Sequence, residues 1–336
     1  MDFVSGEILT ENGFQKGYLG LERNCIIETG KGNCSGKPVA KGLIVPTFVN
    51  MHTHLGDSFV KYRNINLPKD IEELVAPPEG LKYKLLNEAS DEELIEGMEK
   101  SFEFMLKTGT HAFCDFREGG ILGICRLKTA LQLWKISSVI LSRPNKLSYD
   151  ESELNLLLKN SEGIGLSSIS DWDYSEIMKV AKHTKNQKKI FAIHASERAR
   201  EDINLILDLK PDFLIHMLKA SESDLLSVKE NNIPIVLCPR SNAFYGLKPN
   251  INLMKKIGIE IFLGTDNAMI SSPSILDEVK YFVNNFKEVD LSEILYSVTF
   301  GARKALNQEC DILGSKSKAE FVVLDKKTLK PLYITV

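Results

Sequence analysis

The chain has 336 residues, enough for one large domain with a small appendage or for two ordinary domains. Apolar residues make up 43% and charged residues 26%, ordinary globular values, and a net charge of −3 gives no electrostatic case for nucleic acid. No run reaches membrane-spanning length, and the first residues, Met1-Asp-Phe-Val-Ser-Gly-Glu, lack the basic-then-apolar form of a signal peptide, so a cytoplasmic protein without membrane contact is expected. Six cysteines (Cys25, Cys34, Cys114, Cys125, Cys238, Cys310) contain no C-x-x-C pair. They indicate neither a zinc ribbon nor a disulfide framework and are expected to be reduced.

Residues 1–44 hold short alternating segments broken by glycine, and residues 319–325 and 331–336 read as strands at the other end. Between them short apolar runs alternate with longer amphipathic ones, the βα signature. Strands are expected at 43–50, 110–116, 137–141, 163–166, 190–194, 213–216, 234–237 and 259–264, which is the number that closes a (β/α)8 TIM barrel. A helix over 91–107 has Ser90 as N-cap and Glu93 as capping-box partner and stops at Gly109. Ser221 with Asp224 opens a helix over 222–231, the stretch 174–184 is amphipathic, and Gly258 ends the helix before the last strand. The proline-rich, acidic segment 66–80 reads as a loop over the barrel mouth. The predicted fold is therefore an α/β barrel over 45–312 with a small β-sandwich-like domain built from 1–44 and 313–336.

Four of the six histidines end predicted strands or follow them. His52 and His54 stand one residue apart, so strand alternation points both imidazoles the same way. His194 closes Lys189-Ile-Phe-Ala-Ile-His, His216 closes Phe213-Leu-Ile-His, and Asp266 follows Ile261-Phe-Leu-Gly-Thr. In a barrel all strand C-termini meet at one face, so these residues of strands one, five, six and eight converge. Three imidazoles and one carboxylate suit zinc or ferrous iron with a position left for water. Glu197, three residues after His194, can face that water. Taken singly, each residue also has a plain reading as a core histidine, a helix cap or a first-turn acid.

The runs Val45-Pro-Thr-Phe-Val-Asn-Met-His-Thr-His, His194-Ala-Ser-Glu197, His216, Leu237-Cys-Pro-Arg-Ser-Asn242 and Leu263-Gly-Thr-Asp266 together resemble the amidohydrolase superfamily, in particular its cytosine, guanine and S-adenosylhomocysteine deaminase branch. The resemblance implies that His52, His54, His194 and Asp266 hold one divalent metal, zinc in preference to iron, and that Glu197, His216 and Asp266 are the catalytic groups. It implies hydrolytic deamination of a purine, pyrimidine or pterin type of heterocycle by metal-activated water. Binuclear relatives carry a lysine at the end of the fourth strand; none stands in 163–168, so one metal is expected. Relatives commonly form dimers, and the sequence leaves open whether this chain is a homodimer. The segment before Glu79 lacks the tryptophan usual in that branch, and the tail reads Lys318-Ala-Glu320 where Lys-Ala-Asp is usual.

Substrate contacts are expected from Glu79 and from residues after the strands: Arg117 and Glu118, Arg143, Arg240 and Asn242, with Asp115 and Trp172 nearby. Arginines at one mouth suit a carboxylate, phosphate or ring carbonyl. His111 and His183 read as structural. The same site could instead hydrolyse a cyclic amide, an amidine or a C–Cl bond, and a non-enzymatic metal-bearing scaffold would leave Glu197 without a purpose.

Overall fold

The structure, a computed structural model, describes residues 1–287, 289–308, 313–314 and 316–335. Eight parallel strands follow one another in chain order: Phe48–His54, Thr110–Arg117, Ser137–Ser142, Gly163–Leu166, Ile190–Ala195, Phe213–His216, Ile235–Leu237, and an eighth split into Ile261–Leu263 and Asp266–Asn267. The first half of the eighth strand pairs with Ile235–Leu237 and the second half with Phe48–His54. The sheet thus closes on itself as a (β/α)8 barrel. Val49, Met51, Cys114, Phe116, Leu141, Ile215, Val236 and Phe262 meet in one buried cluster contributed by strands from around the barrel. Phe113, Ile140, Ile164, Phe191, Leu214 and Ile235 pack outward in the cluster that holds the helices. Both faces of every strand are covered, which is why these strands read as continuous apolar runs rather than alternating ones.

The first strand differs from its expected bounds. Ala40–Pro46 belongs to a separate six-stranded sheet, between Asp2–Thr10 and Phe321–Leu324, and the barrel strand begins at Phe48. The chain changes sheets at Thr47, whose N–H donates to the Glu320 carbonyl (3.0 Å) and whose carbonyl and hydroxyl accept from Arg303 (2.7 and 2.8 Å). An apolar run buried in both sheets carries no period that marks the switch. The six-stranded sheet runs Pro331–Ile334, Phe321–Leu324, Ala40–Pro46, Asp2–Thr10, Gly13–Glu22, Cys25–Lys31, so both ends of the chain build it. Cys310 and the expected boundary at residue 312 lie outside the described residues.

The Asp91–Lys107 helix starts at Ser90, whose hydroxyl accepts from the Glu93 N–H at 3.2 Å. The expected capping box is not completed, because the Glu93 carboxylate is taken by a two-pronged ion pair with Arg63 at 2.6 Å. At Glu222–Glu230 the reciprocal box between Ser221 and Asp224 does form. The mouth segment folds into the short helices Ile71–Val75 and Leu81–Glu88. No helix among the described residues is long and apolar enough to cross a membrane.

Candidate active site

Val49 and Met51 point into the barrel, so an unbroken strand would turn His52 and His54 out toward the helices. Pairing with the second strand shifts register between Asn50 (opposite Phe113) and Thr53 (opposite Asp115), which inserts one extra residue. That bulge returns both imidazoles to the interior at the mouth. Two other site residues are turned by their backbones: His216 and Asp266 adopt left-handed φ values of 75° and 62°. Such conformations cost on the order of 1–3 kcal/mol each in a non-glycine residue and persist only where neighbours enforce them. For Asp266 the enforcement is visible. The Asn50 amide donates to the Thr265 hydroxyl (2.8 Å) and accepts from the Thr265 N–H (3.1 Å), while Gly264 lies so close to His52 that a Cβ there would meet the His52 Cβ at 2.6 Å.

The result is a cluster of ligand-type atoms. His52 Nε2 lies 3.2 Å from His194 Nε2 and 3.3 Å from Asp266 Oδ1, and His54 Nε2 lies 3.4 Å from His194 Nε2 and 3.6 Å from the same carboxylate oxygen. A tetrahedral ion with bonds of about 2.1 Å has ligand–ligand edges of about 3.4 Å. His194 Nδ1 faces the Leu166 carbonyl at 2.7 Å, and His54 Nδ1 faces the Phe116 carbonyl at 3.1 Å and Glu118 Oε1 at 2.7 Å. These partners are acceptors, so both Nδ1 atoms carry the hydrogen and both Nε2 lone pairs face the cluster. Asp266 Oδ1 is buried with no hydrogen-bond donor. Burial lowers His52 to about 3, so its ring is neutral as a ligand requires. Lone pairs and a carboxylate oxygen crowded together without donors fit a divalent cation. His216 adjoins the group, since ligand atoms of His52, His194, His216 and Asp266 all lie within 4.8 Å of one another.

Glu197 Oε1 stands 3.5 Å from His216 Nε2. Burial raises the Glu197 carboxyl above its ordinary range. The one-turn helix Pro239–Phe244 then holds two of the site residues from behind: Ser241 donates to Asp266 Oδ2 at 2.6 Å, and the Asn242 amide nitrogen lies 3.2 Å from His216 Nδ1. In that orientation His216 Nδ1 accepts and its Nε2 carries the hydrogen toward the mouth.

A model of the amidohydrolase family matches residues 43–335. The chain belongs to the amidohydrolase family. A protein of Archaeoglobus fulgidus provisionally named an aminohydrolase is 32% identical over 321 residues, which covers 92% of this chain and 89% of that protein. The solved structure of Helicobacter pylori aminofutalosine deaminase in complex with methylthio-coformycin aligns with a TM-score of 0.74 at 15% identity, over 97% of this chain and 92% of that one. A zinc-bound adenosine deaminase from Xanthomonas campestris aligns at 0.73 and 14% identity, over 96% and 84% of the two chains. At such identities the likeness to the solved structures is one of fold. The family uses a divalent metal, and the cluster suits one.

In this amidohydrolase a cleft of about 320 Å³ opens over His54, His194, Glu197, His216 and Asp266. Of the six residues expected to contact substrate, Arg143 alone lines it. The Arg143 guanidinium is buried, donates to the Tyr83 hydroxyl (2.8 Å) and the Gly165 carbonyl (3.4 Å), and forms no ion pair among the described residues. The other five do not line it. Arg117 is committed to Asp115 (3.3 Å) and Glu118 (3.0 Å), and Glu118 also to Lys82 and His54. Arg240 holds the Ser272 carbonyl and hydroxyl and Glu278, Asn242 supports His216, and Glu79 is exposed in the mouth segment outside the cleft. Trp172 is buried, with its indole N–H on the Ser167 hydroxyl (3.3 Å). The cleft walls that sequence reasoning missed are Lys82, Tyr83, Asp171, Arg198 and Tyr245. Only Tyr245 carried a signal, as it follows Asn242 by three residues on the same turn; Lys82 and Tyr83 come from the short Leu81–Glu88 helix, and Asp171 and Arg198 from the turns after the fourth and fifth strands. The fourth strand lies where expected and contains no lysine.

Proposed function

We propose that this protein is a zinc-dependent aminohydrolase that replaces the exocyclic amino group of a nitrogen heterocycle with oxygen. The observation that carries the reading is a partly buried carboxyl, Glu197, 3.5 Å from His216 Nε2 and raised above its ordinary range by burial, beside the His52, His54, His194 and Asp266 cluster. Those four residues hold the ion, and His216 remains a catalytic group because Asn242 occupies its Nδ1 and its Nε2 faces Glu197. A bound zinc ion supplies Lewis acidity and brings the pKa of water toward neutrality.

The chain's own residues supply the proton traffic. Glu197 donates its proton to the ring nitrogen beside the reacting carbon, and the amidine carbon becomes more electrophilic. The Asp266 carboxylate, steadied through its other oxygen by Ser241, accepts the proton released from the attacking water. His216, with hydrogen on Nε2, donates to the oxygen as negative charge develops there. Asp266 then passes that proton to the departing amino nitrogen, the Glu197 carboxylate takes the proton of the tetrahedral hydroxyl as the carbonyl forms, and ammonia leaves with Glu197 protonated and Asp266 ionised as at the start. The adenosine deaminase and aminofutalosine deaminase folds support a purine-like ring. The unpaired Arg143 guanidinium with the Tyr83 hydroxyl supports a substrate that also presents a carbonyl or an anionic group to that wall.

The test is a panel of aminopurines, aminopyrimidines and aminopterins incubated with zinc-loaded protein, read by ammonia release and product mass. Deamination raises the mass by about one unit, whereas opening of a cyclic amide adds a whole water. Silence across the panel, or water addition alone, would remove the deaminase reading.

A further inference from the structure

One lysine of the mouth segment, Lys82, is in an expensive place. Lys82, on the Leu81–Glu88 helix, is 2% exposed, and its ammonium lies 2.5 Å from Glu118 Oε1 and 3.8 Å from Asp57 Oδ2. Glu118 touches a residue of the cluster, and Asp57 braces the segment that follows another. Glu118 Oε1 is also the atom 2.7 Å from His54 Nδ1. Asp57 accepts from the Asn267 amide (2.7 Å) and the Met269 N–H (2.9 Å), on the segment that immediately follows Asp266. Arg117 closes the group from below, wedged against Gly56, where a Cβ would meet its Nη2 at 2.0 Å. Three carboxylates (Asp57, Asp115, Glu118) therefore face two cations (Lys82, Arg117).

Anchoring of a loop does not call for this arrangement. A buried ion pair loses most of its attraction to desolvation, and a methionine at position 82 would fill the same space without that cost. What the charged version adds is geometry at the ligand: a carboxylate on Nδ1 fixes a metal-binding imidazole in one tautomer and orientation and makes it a better donor.

We propose that Lys82 and Glu118 form a positioning pair for His54, so that docking of the mouth segment and metal affinity are coupled. The inference rests on His54 being a metal ligand and not on the identity of the substrate. Lys82 acts through Glu118, and the excess negative charge of the group complements the cation beyond His54.

The experiment uses the full-length metal-free protein and zinc alone, titrated in competition with a chromophoric chelator, with circular dichroism and thermal unfolding as checks on folding. Glu118→Gln is expected to weaken zinc binding about 10- to 100-fold. Lys82→Met is expected to weaken it less, and Lys82→Met/Glu118→Gln no more than Glu118→Gln alone. The double variant removes both charges together and so remains informative if Glu118→Gln folds poorly. Hydrogen exchange supplies a readout that a purely structural role would not move: zinc should increase protection of residues 81–88 in the parent and not in Glu118→Gln. Parent-like zinc affinity in Glu118→Gln, losses that multiply in the double variant, or zinc-insensitive exchange at 81–88 would each overturn the proposal. Zinc binding that follows the expected order without ammonia release would sink the deaminase reading and leave this one standing.

Discussion

The barrel mouth and the six-stranded terminal sheet are both made of buried strands, yet they treat polar atoms in opposite ways. In the terminal sheet, Val4, Leu19, Leu21, Ile26, Ile44, Phe321 and Val323 form an apolar core, and the Thr335 hydroxyl there both donates to the Phe321 carbonyl (3.0 Å) and accepts from its N–H (2.8 Å). Around the mouth, side-chain atoms of His52, Asn242, Tyr245 and Asp266 are buried without a hydrogen-bond partner; Asp115 Oδ1 and Glu278 Oε1, the remaining such atoms among the described residues, instead face Arg117 (3.3 Å) and Arg240 (3.4 Å) as ion pairs. Buried polar atoms left without partners cost about 1–3 kcal/mol each. The terminal sheet is built for stability, and the mouth sacrifices stability to keep donors and lone pairs aimed at something that binds there.

That contrast can be broken at its sharpest point first. Glu197→Gln keeps shape and removes the transferable proton, so kcat on the substrate found in the deamination panel should fall by about 10²–10⁴-fold, while zinc content by elemental analysis stays at the parental value. Unchanged turnover would mean that the Glu197 carboxyl is structural. In the terminal sheet the expectation inverts. Phe321→Ala, at a fully buried position stacked on Tyr333, should cost about 3–5 kcal/mol in chemical denaturation and leave kcat/KM of the folded fraction unaltered. Zinc removal by a chelator should abolish activity and also lower stability by about 3–4 kcal/mol relative to protein with zinc at 100 to 1,000 times its Kd; re-addition should restore both.

Smaller effects sharpen the comparison. Ser241→Ala removes the 2.6 Å hydrogen bond to Asp266 Oδ2, and a loss of about tenfold in kcat/KM is expected from a bond to a charged group. The last prediction concerns Glu278, which burial raises from 4.5 to about 8 against the opposing charge of Arg240. Between those values the folded protein holds a proton that the unfolded chain has lost. The stability contributed by the neutral form is thus full below pH 4.5 and disappears as pH rises through about 8. Glu278→Gln should flatten this part of the stability profile, measured by urea denaturation at a series of pH values. A slope identical to the parent's would assign it to other groups.

The sequence made the barrel and the chemical cluster legible because both rest on local rules. Strand-length apolar runs ending in His194, His216 and Asp266 are visible without any tertiary knowledge, and the third and fourth strands emerge at Ser137–Ser142 and Gly163–Leu166 close to where their apolar runs put them. The bulge that turns His52 and His54 inward was not legible, since an extra residue in a ladder exists only relative to the partner strand. Nor was the switch of sheets at Thr47. The partners of the rim arginines were not legible for a related reason: Arg117 and Arg240 look like free cations in a sequence, but in the fold each meets a carboxylate.

By itself, then, the chain determined which residue types stand at the strand ends and that those ends share one face, because alternation, capping and helix period act over a few residues. Only the tertiary structure decided which charges remain available to a substrate and which are used up. Lys82 and Glu118 are 36 positions apart, and Asn50 and Thr265 are 215 apart. Electrostatic partnership depends on distance in space, and that distance is created by barrel closure.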